Sequence, residues 1–386
     1  VKSPVDIVRA LDDLWLIRRS TEEHRMRFIP GCGWLPASWQ DDDALNRGLR
    51  RLAKHGAQHF AAGYSAAGGY VPLREDIQRQ LGDIGVEADV SQIITTGGAV
   101  AAIDLLFRYL IKPGDKVLVD DPGYFHTYGH LRTLGAQVAG VPWTHQGPDT
   151  KALAELAKEH RPKVFFTTAT LHNPTGVTMS QACAYRLLRL AEEHDFLIVE
   201  DDVYGSLHGG NATRLATLDQ LDRVVYVNGF SKTISPRLRV GYLAASPELI
   251  APLSDLKLLT GMGVSEVSER LVHEVLLDGY YRKHLSQVRE HLQRARDRTA
   301  SKLEGLGLEF FIPPGEGLFL WVRHPELADS APIAEAAARS DAMLAAGKSF
   351  RPNQEPSPWM RFNVAFSQEA ALYDILSRII DEATCQ

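Results

Sequence analysis

Two nearby stretches decide the fold: Phe196–Tyr204, FLIVEDDVY, and Arg223–Thr233, RVVYVNGFSKT. Each is an apolar run of strand length that ends abruptly in polar chemistry. The first ends in Glu200, Asp201 and Asp202, the second in Ser231, Lys232 and Thr233. Neither run alternates strictly between apolar and polar residues, which favours a sheet covered on both faces. Similar runs lie to either side, at Ser91–Thr96, Lys116–Val119, Gln137–Val141, Lys163–Thr168 and Val240–Ala245. Helical patterns fall between several of them, at Ala99–Ile111, Thr150–His160 and Ser180–His194, and Pro113-Gly114-Asp115 supplies a stop and turn. Strand–helix alternation of this kind predicts an α/β domain on a mostly parallel central sheet.

From about Leu258 the pattern changes to longer helical segments, then to β-like Leu318–Arg323 and Trp359–Val364, and then to a closing helix. The reading is a large α/β domain over 43–257 and a smaller α+β domain over 258–386, with an N-terminal arm over 1–42 that packs with the small domain. A chain of 386 residues is long enough for both cores.

The formal net charge of −6 gives no basic footprint for nucleic acid, so no nucleic-acid partner is expected for this chain alone. The densest basic cluster, Arg47, Arg50, Arg51 and Lys54, has the spacing of a solvated helix face. Cys32, Cys183 and Cys385 are odd in number and scattered, which is neither a disulfide framework nor a metal set, and points to a reducing, cytoplasmic setting. No apolar run approaches the ~20 residues of a membrane span. No membrane partner is expected.

In an open α/β sheet, ligands bind beyond the carboxyl ends of the strands. Thr95-Thr96-Gly97-Gly98-Ala99 joins a strand to a helix, where free N–H groups and the positive dipole end suit an anion. His172-Asn173-Pro174-Thr175-Gly176 is a tight turn after another strand; taken alone, Asn173 is a turn former. Three consecutive acids at 200–202 would repel one another unless a cation or protonated nitrogen sits among them, and a metal would have to recruit His208. Lys232 alone has the standing of a surface lysine. At the end of an apolar strand and flanked by hydroxyls, it reads as a partly desolvated amine nucleophile, with Arg239 seven residues on.

Together these clusters resemble the class I/II aminotransferases, fold type I of the enzymes that use pyridoxal 5'-phosphate, over nearly the whole chain. The motifs that carry the resemblance run in the family's order: Tyr64…Gly69…Leu73-Arg74, Pro113-Gly114-Asp115, Pro122-Gly123-Tyr124, HNPTG, EDDVYG, SKTISPRLRVG and Arg361-Phe362-Asn363. The resemblance implies a Schiff base between Lys232 and the cofactor, with Lys232 later moving the substrate's α-proton. It implies that Asp201 pairs with the pyridine nitrogen, Asn173 and Tyr204 with the ring's 3'-oxygen, and that Tyr124 stacks on the ring. Gly98, Ala99, Ser231 and Arg239 would hold the phosphate, with Tyr64 reaching across from a second subunit of a homodimer. Arg361 would take the substrate carboxylate, with Gly33 and Asn173 beside it. The substrates implied are an amino acid and a 2-oxo acid.

Within the family the look is similar to the aminotransferase-like domain of MocR-type regulators, through GCGWLP, EDDVYGSLH, SKTISPRLRVGY and GYYRKHL. With Val1 as the first residue, the chain reads as such a regulator without its DNA-binding part or as a stand-alone enzyme of that lineage. A PLP enzyme of another outcome (replacement, decarboxylation, oxidative deamination) is a further alternative, because the cofactor carries the chemistry. Three positions depart from the family pattern. Gly229 stands where a phosphate-binding hydroxyl is usual, a loss of about 1.5–3 kcal/mol; Arg237 and Glu316 stand where glycines are common. Arg27 and Arg237 are candidates for a second substrate arginine, and Trp34, Leu35 and Trp39 for pocket or packing.

Overall fold

The computed structural model describes residues 26–56, 63–277 and 279–385. Residues 1–25 of the expected N-terminal arm lie outside the described residues.

The apolar runs become one mixed sheet in the order β1-β8-β7-β6-β5-β2-β3-β4. Its strands are β1 (Ile93–Thr96), β2 (Lys116–Asp121), β3 (Gln137–Thr144), β4 (Gly147–Pro148), β5 (Val164–Thr167), β6 (Leu197–Asp201), β7 (Val224–Gly229) and β8 (Gly241–Ala244). β3, β2, β5, β6 and β7 pair in parallel, while β8 runs antiparallel between β7 and β1. The short β4, which folds back on β3, has no counterpart in the sequence reading.

Successive residues of a strand point to opposite faces, and the two faces bury different clusters. Leu118, Phe165, Ile198 and Tyr226 pack on one side. Val119, Phe166, Val199 and Val225 pack on the other, with Ile103, Leu106 and Phe107 of the helix Ala99–Leu110. Burial of each such side chain is worth about 1.5–3 kcal/mol. Capping adds less, about 1 kcal/mol each: Asp149 accepts from the amides of Lys151 and Ala152, and Ser180 from that of Cys183, at the starts of Thr150–His160 and Gln181–His194.

A second sheet holds β9 (Glu309–Phe310), β10 (Phe319–Arg323), β11 (Ala345–Ala346) and β12 (Trp359–Asn363), all antiparallel, in the order β11-β12-β10-β9. Val288 and Leu292 of the helix Tyr280–Gly305, Ile333 of Ala331–Arg339, and Leu372, Leu376 and Ile379 of Ala370–Thr384 cover it. The segment 28–34 is tied to this sheet's edge, with Met343 N–H donating to Phe28 O at 2.8 Å and Asn363 N–H to Pro30 O at 2.7 Å. That anchoring carries it across the strand ends of the large sheet. No described helix is long and apolar enough to cross a membrane.

Candidate active site

The strand sorts the three acids at the end of β6 onto two faces, although the charge of Asp202 still raises the other two carboxyls. Glu200 and Asp202 share a face. Glu200 accepts from the amides of Leu215 (2.9 Å) and Ala216 (2.8 Å). Asp202 accepts from Arg214 Nε at 2.7 Å and from the Tyr226 hydroxyl at 2.6 Å. Asp201 points to the other face, 4% exposed, and accepts from the amide of Val203 at 3.2 Å. Burial raises its carboxyl to a pKa of about 7, with Asp202 adding to the rise and Lys232 opposing it.

Asp201 lines a pocket of about 150 Å³ with Ala99, Tyr124, Asn173, Tyr204, Ser231, Lys232 and Arg239. Burial, and then the nearby Arg361 charge, bring the Lys232 amine down to a pKa of about 8. Its Nζ donates to Gly33 O at 2.6 Å and stands 5.4 Å from the centre of the Tyr204 ring. The Tyr204 hydroxyl faces the same carbonyl at 3.4 Å. Burial holds both phenols protonated, Tyr124 at about 12 and Tyr204 well above its ordinary value.

One end of the pocket is built from backbone. The helix Ala99–Leu110 starts on Gly98 at φ 93°, a conformation that favours glycine. A Cβ there would also lie 2.4 Å from Arg239 Nη2. Arg239 donates to Ser231 Oγ and to Gly97 O, both at 3.1 Å, so its charge stands beside the helix start. Gly229 has a steric reason: a Cβ would sit 3.1 Å from Val240 O and Gly241 Cα, and 3.5 Å from the Ala99 amide. β8 and the helix start come too close there for an easy side chain.

Arg361, 3% exposed, stands beside the pocket. It donates to Asn173 Oδ1 at 2.6 Å and to Gly31 O at 2.5 Å, between the rings of Phe319 and Phe350. Tyr64 lies apart from these residues and is 84% exposed. Sequence reasoning gave no role to Asn363, whose amide donates to the carbonyls of Cys32 and Trp34 and so fixes the segment that carries Gly33. Its place two residues after Arg361 on β12 was the available signal.

The departures find local explanations. Glu316 accepts from the Gly209 amide at 2.8 Å and faces His208, away from the pocket lining. Arg237 is exposed, and Arg27 stands 3.8 Å from Glu369 and over the Phe28 ring. Neither arginine lines the pocket. Leu35 is core, Trp39 stacks on His291, and Trp34 packs against buried residues near Cys32. A larger open groove of about 970 Å³ lies elsewhere, but its charges are matched: Arg79 with Asp76, Arg282 with Asp83, and Arg289 with Ser206 O. Among the described residues no cluster of His, Cys, Asp and Glu could hold a metal.

Comparison with known proteins extends this geometry. The sequence profile described as aminotransferase class I and II matches residues 36–379. The aromatic-amino-acid aminotransferase 1 of Thermococcus litoralis is 30% identical over 343 residues, covering 86% of this chain and 81% of that protein. An uncharacterized HTH-type transcriptional regulator of Bacillus subtilis, YdfD, is 32% identical over 273 residues, 69% of this chain. The chain spans about half the length of that regulator, 56%. The kynurenine aminotransferase of Pyrococcus horikoshii, solved in complex with PMP, superposes with a TM-score of 0.85 at 28% identity, over 99% of this chain and 95% of that one. Since the profile takes in both sheets and every strand end described above, the chain belongs to the class I and II aminotransferases.

Proposed function

We propose that this chain is a pyridoxal-phosphate-dependent aminotransferase that moves an amino group between an amino acid and a 2-oxo acid. One observation carries the reading: a lysine amine lowered to about 8 and a carboxyl raised to about 7 face one pocket from the ends of adjacent strands. The residues present fit the cofactor of this family. Asp201, buried and held by one amide, matches a cationic ring nitrogen, whose charge would draw its pKa back down. The start of the helix at Gly98 and Ala99, with Ser231 and Arg239, matches a phosphate. Tyr124 is placed to stack on the ring, and Asn173 and Tyr204 to hydrogen-bond its hydroxyl.

When bound, the cofactor supplies an electron sink for the bond broken at the substrate's α-carbon. Lys232 Nζ is the amine that would hold the cofactor, and it would accept and return the substrate's α-proton. Arg361 grips the α-carboxylate in a bidentate fork, with Gly33 and Asn173 alongside. The segment through Gly33 keeps water from the Lys232 side of the pocket.

We place the active protein as a cytoplasmic homodimer in which Tyr64 reaches the phosphate site of a second subunit. Its exposure, with Leu259 85% exposed and Val267 47%, supports an apolar surface for a second copy. The test is single turnover. Holoprotein is incubated with a panel of amino acids, and 2-oxo acid is read by mass spectrometry alongside the cofactor absorbance. One equivalent of 2-oxo acid per site is expected, and none from any amino acid would overturn the reading. The kinship with regulators favours a second reading, a ligand-sensing domain. That reading gains if amino acids shift the absorbance without releasing a 2-oxo acid.

A further inference from the structure

We propose that His172 and Asp120 form a buried positioning pair that aligns Arg361 through Asn173. The inference rests on the reading of Arg361 as the grip for the substrate carboxylate. His172 opens the turn after β5 and Asp120 is the last residue but one of the neighbouring β2; they are 0% and 3% exposed. They lie on the sheet face opposite Asp201, among Trp143 and Phe165. No step assigned above uses either of them.

Their contacts fit one arrangement of protons. His172 Nε2 lies 3.3 Å from Asp120 Oδ2, a close charge contact that falls short of hydrogen-bond geometry, and Oδ2 accepts from the Thr168 amide at 3.1 Å. His172 Nδ1 lies 2.8 Å from Thr175 Oγ1, which accepts from the Val177 amide at 3.3 Å. The neighbour of Nε2 is a carboxyl oxygen of Asp120, so a neutral imidazole that carries its proton at Nε2 points it toward an acceptor, and the Thr175 hydroxyl then gives its own proton to Nδ1. Burial lowers the His172 pKa, which favours this neutral imidazole. The ring lies flat on Trp143, with centroids 3.8 Å apart and planes 10° apart, which fixes its plane.

The turn closes on itself through Gly176 N–H to His172 O at 2.7 Å and His172 N–H to Val177 O at 2.8 Å. Asn173, the next residue, faces the pocket and accepts from Arg361 Nη1 at 2.6 Å. A rigid anchor on one side of the turn thus sets the height of Asn173 on the other. Packing alone does not require this pair. A phenylalanine would stack on Trp143 without desolvating an imidazole and a carboxyl, and Asp120 Oδ1 is left without a partner inside the core.

The test uses holoprotein with His172→Phe, which keeps the stack and deletes both polar contacts, and His172→Gln, which returns an N–H toward Asp120. The probe is 3-phenylpropionate, a carboxylate without an amino group, titrated by calorimetry. H172F is expected to weaken the probe about tenfold and to raise KM for the amino acid similarly. Its kcat should stay within about threefold, and H172Q should recover much of the binding. Nitrogen NMR of wild-type protein should show a neutral imidazole protonated at Nε2; protonation at Nδ1 overturns the pair whether or not H172F folds. If Arg361→Ala abolishes probe binding while H172F leaves it unchanged, the pair is core packing and the aminotransferase reading stands. If R361A binds the probe as wild type does, the Arg361 reading falls and this inference with it.

Discussion

Asp201 and Asp202 are neighbours in the chain, yet they belong to two regions built on opposite rules. Under one face of the sheet, Asp202 meets Arg214 and Tyr226, and Glu200 meets two amides, so both acids find hydrogen-bond donors within the chain. Over the other face, Asp201, Lys232 and Arg239 converge on a pocket with their charges turned inward. Burial draws Asp201 up to about 7 and Lys232 down to about 8, and it raises Glu200 to about 8 as well, so what sets Asp201 and Lys232 apart is the pocket that they face. The lesson is that motif acids are not equivalent. One carboxyl of EDD faces the pocket and two face the scaffold, and a single residue of strand alternation decides which.

The contrast can be broken most severely at Lys232. Lys232→Ala should abolish 2-oxo acid formation in a single turnover while leaving the far-ultraviolet dichroism unchanged, because the lysine supports the ligand and not the core. The opposite pattern is expected below the sheet. Arg214→Leu removes one partner of a buried pair and should cost about 3–5 kcal/mol in a denaturant melt. The activity of the molecules that remain folded should stay near that of wild type. Asp201→Ala comes next. It should lower kcat/KM by about 10²–10³-fold, as for loss of one preorganised electrostatic group, with little change in the melt. The smallest effect concerns pH. Only the neutral amine attacks a carbonyl, so cofactor capture by the apoprotein should speed up as pH rises and level off near 8, the pKa of Lys232. A rise continuing toward the ordinary lysine value, about 10.4, would place that amine in water instead.

Much of this was legible in the sequence because strand ends are local. An apolar run that stops at Asp201, Lys232 or Asn173 marks the edge of a parallel sheet where ligands bind as a rule, and the three residues do line one pocket. The order of the motifs supplied the family, and the profile match agrees with it. What could not be read depends on chain segments far apart in sequence. Arg361 meets Asn173 across 188 residues, and Lys232 meets the Gly33 carbonyl across 199. Nothing near Gly229 announces that β8 and a helix start crowd it, and nothing near Glu316 announces the Gly209 amide. Nor could EDD be divided into one working acid and two structural ones without knowing that Arg214 and Tyr226 lie beneath it.

The most direct measurement of the central claim is chemical. Holoprotein reconstituted with pyridoxal phosphate is reduced with borohydride, digested and mapped by mass spectrometry. The account expects a phosphopyridoxyl group on the peptide that contains Lys232, at one equivalent per chain, and none after Lys232→Ala. A label on another lysine, or no label at all while the cofactor remains bound, would contradict it.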